Sequence, residues 1–258
     1  NELRRNGANK ALLISATGTG KTYAAAFALR DINPNRALFI VHREIILKQA
    51  MNSFKNVFGD SKSFGLYAGG TNQSDRDFVF ATMQTMTRHY KDFPKDAFDV
   101  IVVDEAHRSG AGGYQEMMMY FTPSLWLGMT ASPDRTDGFD VYKAFDYNIA
   151  HEIRLQEAIR LNLLCPFHYY GIRDKLADYS SSDISKVSKE IAKSENVHFI
   201  ATEIEKHKPS GKLKAIAFCS SIAHAILMAD ELEDEGYATV ALTSKNDLGQ
   251  RIKAFNDL

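Results

Sequence analysis

Cysteine is nearly absent from this chain: only Cys165 and Cys219 occur, far apart and without paired ligand spacing. That excludes a disulfide framework and a cysteine-based zinc site, and it points to a reducing, cytoplasmic setting. No run approaches the ~18 apolar residues of a membrane span, and no charged-then-apolar leader opens the chain, so no membrane partner is expected. Charge of one sign is lacking too. The formal net charge is -1, with 17 basic against 16 acidic residues up to Ala150 and 14 against 16 beyond it. Neither part has the strongly positive balance of a nucleic-acid-binding domain, so any such partner must be argued from motifs. Repeats and low-complexity blocks are also missing; Ser180 to Ser182 is too short to count.

What is present is an ordinary globular composition, 45% hydrophobic and 24% charged over 258 residues, enough for two compact units. Short apolar runs alternate with longer amphipathic segments, the pattern of an α/β protein with a mainly parallel sheet. Strands are predicted at Ala11 to Ser15, Ala37 to Val41, Phe78 to Ala81, Asp99 to Val103 and Leu125 to Met129. Helices are predicted after Gly20, over Glu44 to Val57, and from about Gln115. In such sheets the loops at the carboxyl ends of the strands converge on one ligand site. Met117 to Met119 read as helix core filler, and Trp126 as a buried strand residue.

A loop-rich stretch after Thr130 and a linking helix near Leu155 to Leu161 place a domain boundary near Ala150, giving units 1–150 and 151–258. The second unit restarts with strands at Pro166 to Ile172, Ala215 to Phe218 and Ala238 to Leu242. Its helices are expected near Ile184 to Lys206, from Ser220 through Leu232, and near Leu248 to Phe255. These strands are too few for a full lobe, and the chain starts only about ten residues before its first strand, so it reads as a fragment at both ends. It also reads as short between Tyr179 and Asp183 and around Ser244 to Asp247.

The segment LLISATGTGKT, Leu12 to Thr22, runs from a buried strand through a glycine-containing loop into a helix. Gly18 and Gly20 let backbone N–H groups close around phosphate oxygens, and the helix N-terminus adds partial positive charge. Lys21 is expected to reach the β and γ phosphates of ATP, and Thr22 to ligate Mg²⁺. The general pattern has glycine where this chain has Ser15, and kinases and transporters also use such loops. DVIVVDEAH, Asp99 to His107, is an apolar strand ending in adjacent acids: Asp104 would hold Mg²⁺, directly or through water, and Glu105 would orient and deprotonate the attacking water. The plainer alternatives are a chance glycine turn, a solvated acidic turn and a structural histidine.

ATGTGKT, DEAH and the later TAS, Thr130 to Ser132, together resemble motifs I, II and III of superfamily 2 helicases. That superfamily commonly starts motif I with a small residue, so Ser15 and Ala16 fit it. The resemblance implies two RecA-like lobes, the second incomplete. FIVHREIILKQA (Phe39 to Ala50), Gly69-Gly70, FATMQT (Phe80 to Thr85) and FCSSIAHA (Phe218 to Ala225) look like its nucleic-acid elements and motif IV. HREIILKQ, DEAHRSGA, GMTASPDRTDG and LLCPFHYYGI together resemble bacterial restriction-type DEAD/DEAH helicases, a subgroup that often carries a phospholipase-D-like nuclease domain.

By that similarity Ala16, Thr17, Gly18, Thr19, Gly20, Lys21 and Thr22 hold the nucleotide, and His107, Thr130 and Ser132 couple it to a strand-binding surface. Arg43, Gly69, Gly70, Thr82, Gln84 and Ser220 would contact the sugar-phosphate backbone of one strand, without base specificity. Gly69-Gly70 as a simple turn and Thr82 as a helix cap are the plainer readings. An adenine-recognition segment upstream and motifs V and VI with an arginine finger downstream are not visible, so the chain alone is expected to bind nucleotide better than it hydrolyses it. The expected activity is an ATP-dependent DNA helicase or translocase core. An RNA-directed helicase, a nucleotide-gated binding module and a P-loop kinase stay open.

Overall fold

The computed structural model describes residues 2–108, 110, 112–134, 139–173, 183, 186–187, 191 and 193–257. Two compact units result, Asn1–His168 and Tyr169–Leu258.

The first unit runs α1 (Glu2–Arg5), β1 (Lys10–Ser15), α2 (Lys21–Ile32), β2 (Ala37–Val41), α3 (Glu44–Phe58), β3 (Phe64–Ala68), β4 (Thr71–Asn72), β5 (Phe78–Thr82), α4 (Met83–His89) and β6 (Val100–Val103). It continues through α5 (Gly112–Tyr120), β7 (Leu125–Thr130), α6 (Val141–Ala144), β8 (Ile149–Ile153) and α7 (Leu155–Arg160). Its eight strands form one sheet in the order β4-β3-β5-β2-β6-β7-β1-β8. Only the two-residue β4 is antiparallel to its neighbour. The class is therefore α/β, as the alternation of apolar runs implied.

The central strands β1, β2, β6 and β7 are buried on both faces, so their apolar residues divide by parity between two cores. Leu12, Ile14, Leu38, Ile40, Ile101, Val103 and Trp126 face Met83 and Met86 of α4, Tyr114 and Met117 of α5, and Phe145. Leu13, Phe39, Phe80, Val100, Val102 and Leu127 face Ala25 and Leu29 of α2 and Leu47, Ala50 and Phe54 of α3. Trp126 is thus core, as expected. The methionine run divides: Met117 is buried, whereas Met119 faces solvent, because a helix carries consecutive side chains 100° apart.

Ala150 lies inside β8, and β8 pairs with β1, so the first compact unit runs past the expected boundary to His168. In the second unit the described helices are α8 (Ser194–His207), α9 (Ile222–Asp234) and α10 (Leu248–Asp257). Val197, Ala201, Met228 and Leu232 close a small core between α8 and α9. Strands were expected at Pro166 to Ile172, Ala215 to Phe218 and Ala238 to Leu242, and none of the three segments is a strand. A strand exists only as part of a hydrogen-bonded ladder, and among the described residues none of these segments has a ladder partner. Phe218 and Val240 stand 95% and 66% exposed on them. The connection suspected at Ser244 to Asp247 is a tight turn in which Asn246 accepts the Thr243 N–H at 2.8 Å. The suspected gap at Tyr179 to Asp183 lies, apart from Asp183, outside the described residues, as do Arg135 to Gly138 and much of Ile184 to Lys193.

Candidate ATP site and nucleic-acid cleft

The loop after β1 curls because Gly18 and Gly20 take φ of +88° and +86°, a region that disfavours any residue with a Cβ. Gly20 caps α2 and offers no side-chain hydrogen bond, so the first N–H groups of a 12-residue helix stay available to an anion. Ser15 explains itself here. It is buried, and its hydroxyl lies 2.5 Å from that of Thr19, which in turn donates to the Ala16 carbonyl at 2.6 Å. A serine at this position therefore braces the loop from within, which glycine could not do.

Lys21 folds back on the loop, donating to the carbonyls of Ser15 at 2.9 Å and Ala16 at 3.3 Å. Burial lowers its pKa, opposed by the negative charges of Asp104 and Glu105. Asp104 shifts the other way: burial raises it, the Glu105 N–H donated to its carboxylate lowers it, and the neighbouring Glu105 charge raises it. A cation held by Asp104 would relieve that carboxylate, and a phosphate held by Lys21 would relieve the ammonium. Among the described residues no cluster of three or more His, Cys, Asp or Glu side chains is arranged to hold a metal unaided. Thr22 and Asp104 could offer only a hydroxyl and a carboxylate, a sparse set that would suit an Mg²⁺ completed by phosphate oxygens and water.

Glu105 has a left-handed backbone, φ +54°. His107 Nδ1 lies 3.1 Å from its Oε2 and 3.0 Å from Thr130 Oγ1, and the fully buried Thr130 also accepts the Ser132 N–H at 3.2 Å. The box after β6 and the TAS segment after β7 are therefore joined by one histidine. Their strands are sheet neighbours, with Val103 opposite Gly128.

A separate cleft of about 570 Å³ opens at the carboxyl ends of β2, β3 and β5. Gly69, Gly70, Thr82 and Gln84 all line it, together with His42, Glu44, Tyr67, Arg88 and His89. Gly69 and Gly70 form a turn with φ of +56° and +82°. Thr82 does cap α4, accepting the Thr85 N–H at 3.3 Å. Arg43 is exposed at the N-cap of α3, between the cleft residues His42 and Glu44. Ser220 stands in the second unit, its hydroxyl 3.1 Å from His224 Nδ1.

His42, Tyr67, Arg88 and His89 were not foreseen. Each had a local signal: His42 stands beside Arg43, Tyr67 two residues before Gly69, and Arg88 and His89 one helical turn beyond Gln84 and Thr85 on α4. His42 sits two residues beyond Ile40, as Glu105 sits two beyond its sheet partner Val103. Burial, and then the charge of Arg108, hold its pKa below the ordinary histidine range against the pull of Glu105.

A parallel sheet carrying a phosphate loop, a DEAH box and a TAS segment on adjacent strand ends defines a RecA-like domain of the superfamily 2 helicase class. More narrowly, residues 1–135 match the type III restriction enzyme, res subunit, family, and the chain belongs to it. It is 31% identical over 175 residues to the EcoAI type I restriction endonuclease subunit of Escherichia coli, covering 63% of this chain and 21% of that protein. It is 24% identical over 269 residues to IRC3 of Saccharomyces cerevisiae, named as an ATP-dependent helicase, covering 93% of this chain and 38% of that one. Among solved structures, the HsdR fragment of a type I restriction enzyme from Vibrio vulnificus YJ016 shares the fold with a TM-score of 0.60 at 24% identity, over 90% of this chain and 42% of that chain. The chain thus spans well under half the length of these relatives.

Proposed function

We propose that this chain is the ATP-binding core of a DNA helicase or translocase in which Mg-ATP hydrolysis drives movement along a nucleic-acid strand. The observation that carries this reading is the His107 bridge, which ties the candidate catalytic Glu105 to Thr130. In this reading the amides of Ala16 to Gly20 and Lys21 hold the phosphates, Thr22 and Asp104 hold Mg²⁺, and Glu105 activates water. Gamma-phosphate and its loss are then felt by His107 and relayed through Thr130 and Ser132. The cleft at Gly69, Gly70, Thr82 and Gln84, with Arg43 and Arg88 at hand, takes one strand by its phosphates, and Ser220 is a candidate backbone contact within the second unit by itself.

DNA is favoured over RNA by the likeness to restriction-enzyme subunits. A nuclease domain in the same full-length protein and a cytoplasmic setting accompany that likeness; the two free cysteines agree with the latter. The lobes are assigned as an ATP-binding lobe and a partial second lobe starting beyond β8. The test is steady-state ATPase of the full-length protein with single-stranded DNA, duplex DNA and RNA. Stimulation by DNA is expected; equal or greater stimulation by RNA transfers the reading to an RNA motor, and none by any nucleic acid overturns it.

A further inference from the structure

We propose that Leu164 is a positioning residue of the nucleotide site, and that the chain from β8 to Leu164 forms a clasp on the phosphate loop. The proposal rests on the reading of Ala16 to Thr22 as an ATP loop. The first contact is backbone: β8 runs parallel to β1 to its end, where Ser15 pairs with Ile153 and the Ala16 N–H donates to the Ile153 carbonyl at 3.0 Å. Next, Arg154 fixes the junction with α7 by donating to Asp134 at 2.6 Å and to the Tyr142 hydroxyl at 2.9 Å, so this junction is also tied to the segment that leaves the TAS motif.

α7 is anchored by the fully buried Ala158 and ends at Arg160, and two residues on Asn162, with a φ of +56°, reverses the chain. The Leu163 and Leu164 N–H groups then both donate to the Ala158 carbonyl, at 2.9 and 3.2 Å. This is a closed helix end of the kind that fixes the direction of the next side chain. Leu164 is thereby aimed at the phosphate loop. Its Cδ2 lies 3.1 Å from where a Cβ on Gly18 would stand.

A leucine cannot bind phosphate, so it acts through Gly18. It packs against the residue whose left-handed backbone turns the loop amides toward the anion, and so holds that turn in one conformation before the nucleotide arrives. Donors fixed in advance bind an anion without the cost of ordering them. Its contact is with the phosphate loop and not with the acid pair's chemistry, so its loss weakens nucleotide binding and leaves the hydrolytic step alone.

The test uses the full chain and a fluorescent ATP analogue with Mg²⁺. Leu164→Ala is expected to raise the Kd about fivefold, whereas the volume-conserving Leu164→Met stays within about twofold. The ATPase kcat at saturating ATP is expected to match that of the unaltered protein, with the change confined to KM. A second measurement leaves Leu164 in place. In a Cys219→Ser background the exposed Cys165 next to it is alkylated with iodoacetamide, and saturating Mg-ATP is expected to slow that reaction. Leu164→Ala binding as tightly as the unaltered protein overturns the clasp. Should that variant fail to fold, a Cys165 rate indifferent to ATP overturns it instead. If the unaltered chain and Lys21→Ala both fail to bind the analogue, the ATP reading itself falls, and the clasp with it.

Discussion

Glu105 keeps its left-handed φ of +54° although a side chain with a Cβ pays on the order of 1–2 kcal/mol there. The neighbouring contacts hold it: its N–H on Asp104 and its carboxylate on His107. Glu105→Gln preserves the shape and removes the base, so ATP turnover should fall by roughly 10²-fold or more while nucleotide binding survives. Lys21→Ala should remove both, which equilibrium binding separates from steady-state ATPase. Asp104 offers a pH test. Its folded pKa is raised above the ordinary carboxylate value by burial, so the folded chain holds that proton more tightly than the unfolded one. Its contribution to stability is complete below the ordinary value and is lost as pH rises through the raised one. Asp104→Asn should therefore melt at a higher temperature than the unaltered protein at neutral pH without nucleotide, while losing ATPase; calorimetry at pH 7 and pH 3 checks both the gain and its disappearance.

At the scale of elements, the sheet depends on close fits that composition does not advertise. A Cβ on Gly128 of β7 would collide with the Phe145 ring. Gly128→Val should cost about 3 kcal/mol or more by overpacking, read as a lower urea midpoint. On the opposite face Phe54 of α3 packs edge-on against Phe39, Phe78 and Phe80, and Phe54→Ala should lose about 3–5 kcal/mol. The same scale shows what was readable in the residues. β2 was legible to the residue, and β1, β5, β6 and β7 to within a position or so, because each is a continuous apolar run. β3 escaped because Gly65 and a partly exposed face break its pattern, and β8 because His151 and Glu152 make it a polar edge strand. Three extended segments of the second unit read as strands for the opposite reason: their residues suit a ladder, but nothing in the described residues pairs with them.

For the whole molecule, near-neutral charge sets the character of nucleic-acid binding. The proposed cleft offers Arg88, with Arg43 beside it, and Glu44 opposes them. Few phosphates are neutralised, so log Kobs for single-stranded DNA against log salt should have a shallow slope, no steeper than about -2 to -3. Fluorescence anisotropy across a salt series measures it. A slope near -6 would place the strand on a basic surface other than this cleft.

The sequence by itself determined the α/β class, the phosphate loop, the acid pair and the TAS segment. Each is local: a buried strand followed at once by the chemistry that its end must carry. Tertiary structure alone decided which of these meet. It set Thr130 against His107 and brought His42, Arg88 and His89 to the Gly69-Gly70 turn. It also laid Leu164 on Gly18, 146 positions earlier in the chain. Strand order is the physical reason. In a parallel sheet wound through crossovers, neighbours in space are set by which strands pair, and pairing is a property of the folded ladder rather than of any one segment.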